Sequence, residues 1–480
     1  MPTILGANTS DPSYEIENSL RFNDGDNPQL SLSTGTTNKR KFTVSLWAKR
    51  STNGQRQSLW ASDKTTNDTG DGSKGGSGIA LQFWNDNKFY FGGFGGNFQV
   101  RGNGLQRDPS AWYHIVGQVD TEQGTTNDRA KLWINGIQQT EYTAMIGQNT
   151  DVKFATNRIG RQSSTANYSD SDAFYYDNDG YIAELHVIDG QYYDATYFGE
   201  FNSNGVWVPK EYEGSYGSDG YYLEFKQTGT SANSSGIGAD TSGNDSHLTP
   251  TNLAATDITE DTPTNNFATL SNVDQGIGNA TLSEGNCKFA GADGDTGRSR
   301  STLAVANGKW YAEFRVANNH KLRISVTDNV GMETNTPLTN DGVDFGINDG
   351  YLYTYKDGTN NDTGAGSVSG GIDLSYTHSS NDIIGVALDA DNNTVRFYVN
   401  GSAQGSEATV LQRATEDVFH MFSVYDFSGS GNNANTVECN FGNPSFSISS
   451  GNNDGKYGNF EYAPPSGYYA ICSKRIAEFG

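Results

Sequence analysis

The chain has 480 residues, enough for two or three domains that each bury a core. Gly is abundant at 58, Tyr and Phe number 26 and 24, and Pro and Met are few at 11 and 4, a balance that suits all-β folds of short strands and many turns. With 56 acidic against 32 basic residues the net charge is −24, which argues against a nucleic-acid partner because phosphate binding needs clustered Lys and Arg.

No apolar run approaches the roughly 20 residues that span a bilayer, so no membrane insertion is expected. The opening "MPTILGANTSDPSYEIENS" has no basic n-region and no long apolar run, so no signal peptide is expected. Cys287, Cys439 and Cys472 are far apart and form no C-x-x-C pair, which indicates neither a disulfide framework nor a zinc site and fits assembly in a reducing cytoplasm.

After an N-terminal segment, 1–12, the first predicted domain covers 13–227. "NSLRFND" (18–24) opens it, with Leu20 and Phe22 alternating. In "KFTVSLWAKR" (41–50), Phe42, Val44, Leu46 and Ala48 share one face and Thr43, Ser45, Trp47 and Lys49 the other. "GIALQFW" (78–84), "KFYFGGF" (88–94), "AWYHIVGQVD" (111–120), "AKLWING" (130–136) and "GYIAELHVIDG" (180–190) follow. These are period-2 segments bounded by Gly, Asn and Asp, and none keeps a helical period. "DATYFGEF" (194–201) is the one short-helix candidate.

Residues 228–266, rich in Ser, Thr, Asn and Gly and nearly free of aromatics, read as a polar connector. The second predicted domain covers 267–450. Its strands are expected at "GKWYAEFRV" (308–316), "KLRISVTD" (321–328), "DFGIND" (344–349), "YLYTYKDG" (351–358), "NDIIGVALDADNNTVRFYVNG" (381–401), "MFSVYDF" (421–427) and "TVECNFG" (436–442). A C-terminal tail, 451–480, carries Pro464-Pro465, which should break any strand there. Beyond it "YYAICSKRIAEF" is apolar enough to pack on a domain or on a neighbouring chain.

One pattern occurs in both halves. In 112–136 and in 381–401 a strand, a polar turn and a second strand end at Asn-Gly, Asn135-Gly136 and Asn400-Gly401. Asn-Gly is the sequence of a tight turn in a twisted antiparallel sheet, so each hairpin is expected to mark the core of its own two-sheet sandwich.

The segments "FTVSLWAKR", "WYHIVGQVD", "AKLWINGIQ" and "GYIAELHVIDG" resemble, in that order, the laminin-G-like, concanavalin A-like jelly roll. "GKWYAEFRV", "NDIIGVALDADNNTVRFYVNG" and "NFG" resemble a SPRY (B30.2-like) domain. The connector "GADTSGND", with "DTPTNNFATLS" and "LSEGN", is similar to structural proteins of tailed phages in which two such sandwiches are joined. The expected fold class is therefore all-β, two concanavalin A-like/jelly-roll β-sandwich domains in tandem. The resemblance implies a non-enzymatic virion structural protein, a tail fibre, adhesin or capsid decoration, assembled in the host cytoplasm. It also implies other virion proteins as partners, host surface polysaccharide as ligand, and a homo-oligomer, with a trimer favoured by analogy with fibres. Two alternatives stay open: a decoration or adaptor protein with no receptor role, and a secreted polysaccharide-binding protein.

Concanavalin A-like sandwiches include glycoside hydrolases, whose retaining members need two carboxyl groups about 5–5.5 Å apart. The acidic strand signature of those enzymes is absent, and Glu184 and Asp189 in "AELHVID" are spaced for opposite faces. His114, His186, His247, His320, His378 and His420 show no metal-ligand spacing, and His114 and His186, inside expected strands, read as structural. For sugar binding, aromatics beside Asp and Asn on rim loops are the candidates, since a ring stacks on a pyranose and polar groups fix its hydroxyls. "FYYDNDGY" supplies Tyr175, Tyr176 and Asp177, and "FWNDNKFYFGGFGGNF" supplies Trp84, Asn85 and Asp86. Asp170, Asp172, Asp177 and Asp179 in "NYSDSDAFYYDNDG" are a candidate calcium loop, because hard oxygen ligands in a flexible loop suit Ca²⁺; the alternative is a solvated acidic loop. Trp47, Trp112, Trp133 and Trp310 read as core or half-core positions.

Overall fold

The computed structural model describes residues 14–33, 40–63, 79–93, 98–152, 156–163, 175–273, 278–292, 297–318, 321–327, 342–356, 359–360, 372–410, 419–426 and 435–480. The chain divides into two compact units after Thr264.

In the first unit one antiparallel sheet runs in the order Ile137–Gln138, Ala130–Ile134, Tyr113–Asp120, Lys41–Arg50, Gly180–Asp189, Ser19–Phe22, Ile258–Thr259. A second runs Glu141–Ala144, Gln99–Arg101, Phe89–Gly93, Ile79–Phe83, Gln57–Asp63, Thr156–Ile159, Gln29–Ser33, Thr249–Thr251. Period-2 alternation sends Phe42, Val44, Leu46 and Ala48 from the first sheet, and Leu81, Phe83, Phe89 and Phe91 from the second, into one buried core. Gly117 leaves room for the facing sheet: a Cβ there would lie 2.9 Å from the Phe91 ring.

The other face of the Lys41–Arg50 strand is buried as well. Thr43, Ser45, Trp47 and Lys49 all lie under a second apolar layer with Trp112, Tyr181, Phe198, Trp207 and Tyr212. Lys49 is tolerated there because Asp261, equally buried, takes its ammonium at 2.8 Å and also accepts from the Trp112 indole at 3.1 Å. Trp133 is half-buried, and Trp310 of the second unit is fully buried. At 194–201 the chain makes only a 3₁₀ turn, Ala195–Tyr197, capped by Asp194 and followed by the strand Gly199–Phe201.

The 228–266 stretch does more than connect. Thr249–Thr251 and Ile258–Thr259 close an edge of each sheet in the first unit, and Ile237, Leu248 and Leu253 enter its core. Its polar composition is that of short edge strands, whose outer side meets water. Three apolar anchors among many polar residues give no period to read.

In the second unit one sheet runs Thr281–Ser283, Lys288–Ala290, Thr436–Asn440, Lys309–Val316, Asp382–Asp389, Thr394–Val399, Ser402–Thr409. The other runs Gly297–Arg300, Met421–Asp426, Leu322–Thr327, Gly342–Gly346, Tyr351–Lys356, Thr359–Asn360, with Ile372–Asp373 also on Tyr351–Lys356. This repeats the first unit's plan. In both, the hairpin's first strand pairs with an earlier strand, Lys41–Arg50 or Lys309–Val316, which pairs in turn with a late one, Gly180–Asp189 or Thr436–Asn440.

The two Asn-Gly turns are built alike. Asn135 and Gly136 have φ of 47° and 77°, Asn400 and Gly401 of 48° and 76°, the left-handed pair that the turn requires. The Asn135 side-chain oxygen Oδ1 accepts from the His114 N–H at 2.8 Å, and Asn400 Oδ1 from the Ile383 N–H at 2.9 Å. Each glycine lies under a ring from later in the chain, Trp207 or Tyr462, against which a Cβ would sit at 2.3 or 2.6 Å.

The tail folds onto its own unit. Phe460, Ala470 and Cys472 pack with Tyr311 and Phe267, and Pro464-Pro465 lies outside any strand. The chain ends in the helix Ser473–Phe479, where Arg475 binds both Asp454 carboxylate oxygens at 2.8 and 2.9 Å.

Candidate functional site

In the first unit's second sheet, the strands that send Leu81, Phe83, Phe89, Phe91 and Val100 inward turn Ala80, Gln82, Tyr90, Gly92, Gln99 and Arg101 to the outer face. Register assembles these into a row across the strands. Gln57 pairs with Phe83, so Arg56 stands opposite Trp84; Tyr90 pairs with Arg101, and Arg101 with Glu141.

The row is a stack. The Arg56 guanidinium carbon lies 3.6 Å from the Trp84 ring centroid and 3.9 Å from that of Tyr176. Trp84 and Tyr90 stack at 4.4 Å, and Arg101 lies over Tyr90 at 4.8 Å. A planar guanidinium packs on aromatic faces in this way. Arg101 also pairs with Asp86 and, at 3.0 Å, with Glu141, and Lys88 reaches Glu141 at 2.6 Å. Burial pushes the Arg56 pKa down to about 10. Burial, then the Asp86 charge, pushes the Tyr90 hydroxyl up to about 12.

One step along the strands the side chains are small: Ala80 pairs with Gly92, Gly92 with Gln99, and Gln99 with Ala144. A Cβ on Gly92 would sit 2.5 Å from the Phe98 carbonyl oxygen, so glycine is required there. The result is a trough of about 340 Å³, walled by Arg56, Trp84 and Tyr90 and edged by Gln82, Gln99 and Thr143. Gln82 accepts from Arg56 Nε at 2.9 Å and donates to Gln162, and the Thr143 hydroxyl donates to Gln99 at 2.7 Å.

Two stretches chosen from sequence composition thus meet, Trp84 and Tyr176 lying on either side of Arg56. Trp84 differs from the expectation in one respect: its faces stack with Arg56 and Tyr90, so neither is left for a pyranose. Asp86 joins the ionic end of the row. Asn85 is exposed in the turn that closes between Trp84 and Lys88. Tyr175 pairs its backbone with Ser163, and its side chain lies outside the described residues. Asp177 faces Arg161 at 3.1 Å, its carboxyl raised by burial. Arg56 itself gives no sequence signal, because only strand register sets it opposite Trp84.

Of the calcium candidates, Asp170 and Asp172 lie outside the described residues. Of the other two, Asp177 lies 3.1 Å from Arg161 and Asp179 accepts the Thr52 hydroxyl. Among the described residues no three His, Cys, Asp or Glu side chains gather as a metal site.

His114 and His186 have protein partners. His114 Nδ1 accepts from the Trp207 indole at 3.1 Å and Nε2 meets the Ser45 hydroxyl at 2.9 Å, while burial lowers its pKa to about 3. His186 stacks on Tyr222 at 4.4 Å and meets the Tyr216 hydroxyl at 2.9 Å. Glu184, at a bulge in the strand with φ 50°, accepts the hydroxyls of Tyr14 and Tyr222 at 3.0 and 2.7 Å.

Residues 24–193 match the model of the concanavalin A-like lectin/glucanases superfamily. These residues lie in the first unit and form a concanavalin A-like domain; the chain as a whole is two β-sandwich units in tandem. Among solved structures, the chain is similar to domains LG4-5 of the mouse laminin alpha1 chain, at 12% identity over 90% of this chain and 88% of that one, TM-score 0.30. It is similar to the SPRY domain of human HERC1 at 16% identity over 33% and 91%, TM-score 0.25. It is also similar to a SAP-like pentraxin from Limulus polyphemus at 15% identity over 38% and 80%, TM-score 0.28. No curated protein matches the chain.

Proposed function

We propose that the first unit is a non-enzymatic carbohydrate-recognition domain, its ligand held in the trough on the outer face of the second sheet. The observation that carries this reading is one face joining an aromatic wall, a floor of small residues and a rim of amides and a hydroxyl. A sugar needs apolar surface for its C–H groups and polar partners for its hydroxyls; the trough offers the ring edges of Trp84 and Tyr90 with the Ala80 and Gly92 floor for the first, and Gln99 and Thr143 for the second. The carboxylates nearest to it, Asp86 and Glu141, are taken up by Arg101 and Lys88, which favours binding over glycoside cleavage.

The wider setting in this proposal is a tailed-phage virion: a fibre, adhesin or decoration protein, homo-oligomeric and trimeric by analogy with fibres, presenting the trough to host surface polysaccharide. Support for that setting is the resemblance of the joined sandwiches and their connecting stretch to phage structural proteins. Polysaccharide-array and whole-cell binding by the full chain tests the ligand class. Binding that survives EDTA and falls at least tenfold in a Gln82→Ala/Thr143→Ala double variant is expected; binding unchanged in that variant contradicts the trough.

A second reading, docking of another virion protein, is favoured by exposed apolar side chains. Phe201, 54% exposed, packs edge-on against Trp207, and Ile137, 60% exposed, follows the glycine beneath that ring. Under this reading Phe201→Ser/Ile137→Ser blocks particle assembly and leaves polysaccharide binding intact.

A further inference from the structure

We propose that the outer face of the second unit's second sheet holds an enclosed site for a small oxyanion, a phosphate or sulfate group, bound by Arg298 with Ser423 beside it. The site lies in the other unit from the trough and does not depend on the carbohydrate reading. Its place follows from alternation. Phe345 meets Phe397 of the facing sheet and Phe422 meets Phe441, so Phe422, Val424, Ile324 and Phe345 point inward. Ser423, Tyr425, Arg323 and Asp344 then point outward, and Arg298 and Arg300 pair with Tyr425 and Ser423 on that face.

Polar side chains on an outer face normally reach water, and these do not. Arg298 is 6% exposed and Ser423 1%. Arg298 Nε and Nη2 and the Ser423 hydroxyl are buried with no hydrogen-bond partner among the described residues. Arg300 is fully buried, and Arg323 binds Asp344 at 3.1 Å. Burial raises the Tyr425 pKa, and the Arg323 and Arg298 charges work against that rise, so both lie within electrostatic reach of its hydroxyl. Asp426, at the end of the same strand, is engaged by the N–H and side-chain amide of Asn435. Among the described residues these strands thus turn outward Arg298, Arg300 and Arg323 against Asp344 alone.

A buried guanidinium with unmet donors is costly, and such groups in a native protein mark a bound water or ion. Water would accept the hydrogen bonds but leave the surplus positive charge; an anion answers both. The arrangement favours a tetrahedral one. Adjacent strands lie about 5 Å apart and residues i and i+2 about 7 Å apart, within an arginine's reach. Arg298 and Arg300 from one strand and Ser423 from the next therefore meet a small group from different directions, whereas one arginine fork satisfies a planar carboxylate. The chain carries a charge of −24 and repels anions at long range, so an anion that binds reports a local site.

The test is calorimetry of the full chain in phosphate- and sulfate-free buffer, with inorganic phosphate or sulfate titrated in at ionic strength held constant by chloride. Gly401→Ala, which strains the second unit alone, identifies that unit's transition. The expected result is a saturable rise of this transition, about 5 °C at a hundredfold excess over Kd, with the first unit's transition unmoved. A glucose 6-phosphate arm separates the sources: a rise equal to that with inorganic phosphate means the site takes a phosphate carried on a larger molecule, and a rise with the free ions alone means an enclosed ion. Where the site fills during expression, ion chromatography after denaturation finds about one phosphate or sulfate per chain instead. Arg298→Gln removes the rise or the retained ion, and Arg298→Lys keeps part of it; the wild-type chain alone decides the test if a variant misfolds. No rise together with no retained ion overturns the inference. So does an equal rise in both units, which is a general salt effect, or a rise that persists in a folded Arg298→Gln chain.

Discussion

The second sheets of the two units turn similar chemistry outward, and differ in how accessible their arginines are. In the first unit Arg56, Trp84 and Tyr90 wall an open trough, with Arg101 over Tyr90 behind it. In the second, Arg298 and Arg323 flank Tyr425 in register, Arg323 lies 4.3 Å over Tyr353, and it binds Asp344 at 3.1 Å. Arg298, Arg323, Asp344 and Tyr425 are all buried. Guanidinium and tyrosine rows therefore do not make a trough by themselves. They line one where small neighbours such as Ala80 and Gly92 leave room and the arginines are only half-buried.

The sharpest way to separate the two units is through Glu313. This carboxylate accepts the N–H groups of Glu461 and Tyr462 at 2.9 and 2.8 Å and the Asn440 amide at 3.2 Å, anchoring the tail. Glu313→Ala leaves the part-buried Glu461 and Tyr462 N–H groups without that acceptor. It should cost the second unit about 3–5 kcal/mol, read by calorimetry as loss of one thermal transition while the other stays in place.

The shared turn predicts equal responses. Gly136→Ala and Gly401→Ala each force a left-handed φ on a Cβ and press it into Trp207 or Tyr462. Each should destabilise its own unit by about 2–3 kcal/mol in chemical denaturation. A large loss in one and none in the other breaks the equivalence of the turns.

pH should pull the units apart. His114 is held neutral, its pKa lowered to about 3, so its contribution is present above its ordinary value of about 6.5 and is lost as pH falls from there towards 3. Glu313 is raised by burial from 4.5 to about 7, so its contribution is full below 4.5 and is lost as pH rises through 7. His420, lowered to about 4 by burial in the second unit, works like His114, so single variants are needed to isolate each group. His114→Gln should flatten the acid loss of the first unit, and Glu313→Gln the alkaline loss of the second, each by roughly 2 kcal/mol in thermal unfolding at pH 4.5 and 7. A smaller effect, about 1 kcal/mol, is expected for Asn135→Ala and Asn400→Ala, which free the His114 and Ile383 N–H groups.

How much of this was legible in the sequence depended on range. Alternation marked the long strands, because "KFTVSLWAKR" and "TVRFYVNG" carry their faces in adjacent residues. The matched Asn-Gly turns were legible for the same reason. The role of 228–266 was not, since edge strands such as Thr249–Thr251 are polar and earn their place only by pairing with Gln29–Ser33. Nor was the link at the site: composition singled out Trp84 and Tyr176, some ninety residues apart, but Arg56 joins them through register. The Arg161 that faces Asp177 was not legible either, because register rather than composition brings it there.

The central claim, that ligand lies on the outer face of the first unit's second sheet, is tested most directly by hydroxyl-radical footprinting of the full chain with and without the polysaccharide it binds. The account predicts protection of Trp84 and Tyr176, with Tyr353 and Tyr425 unchanged. Protection confined to the second unit, with Trp84 labelled as fully as before, would contradict it.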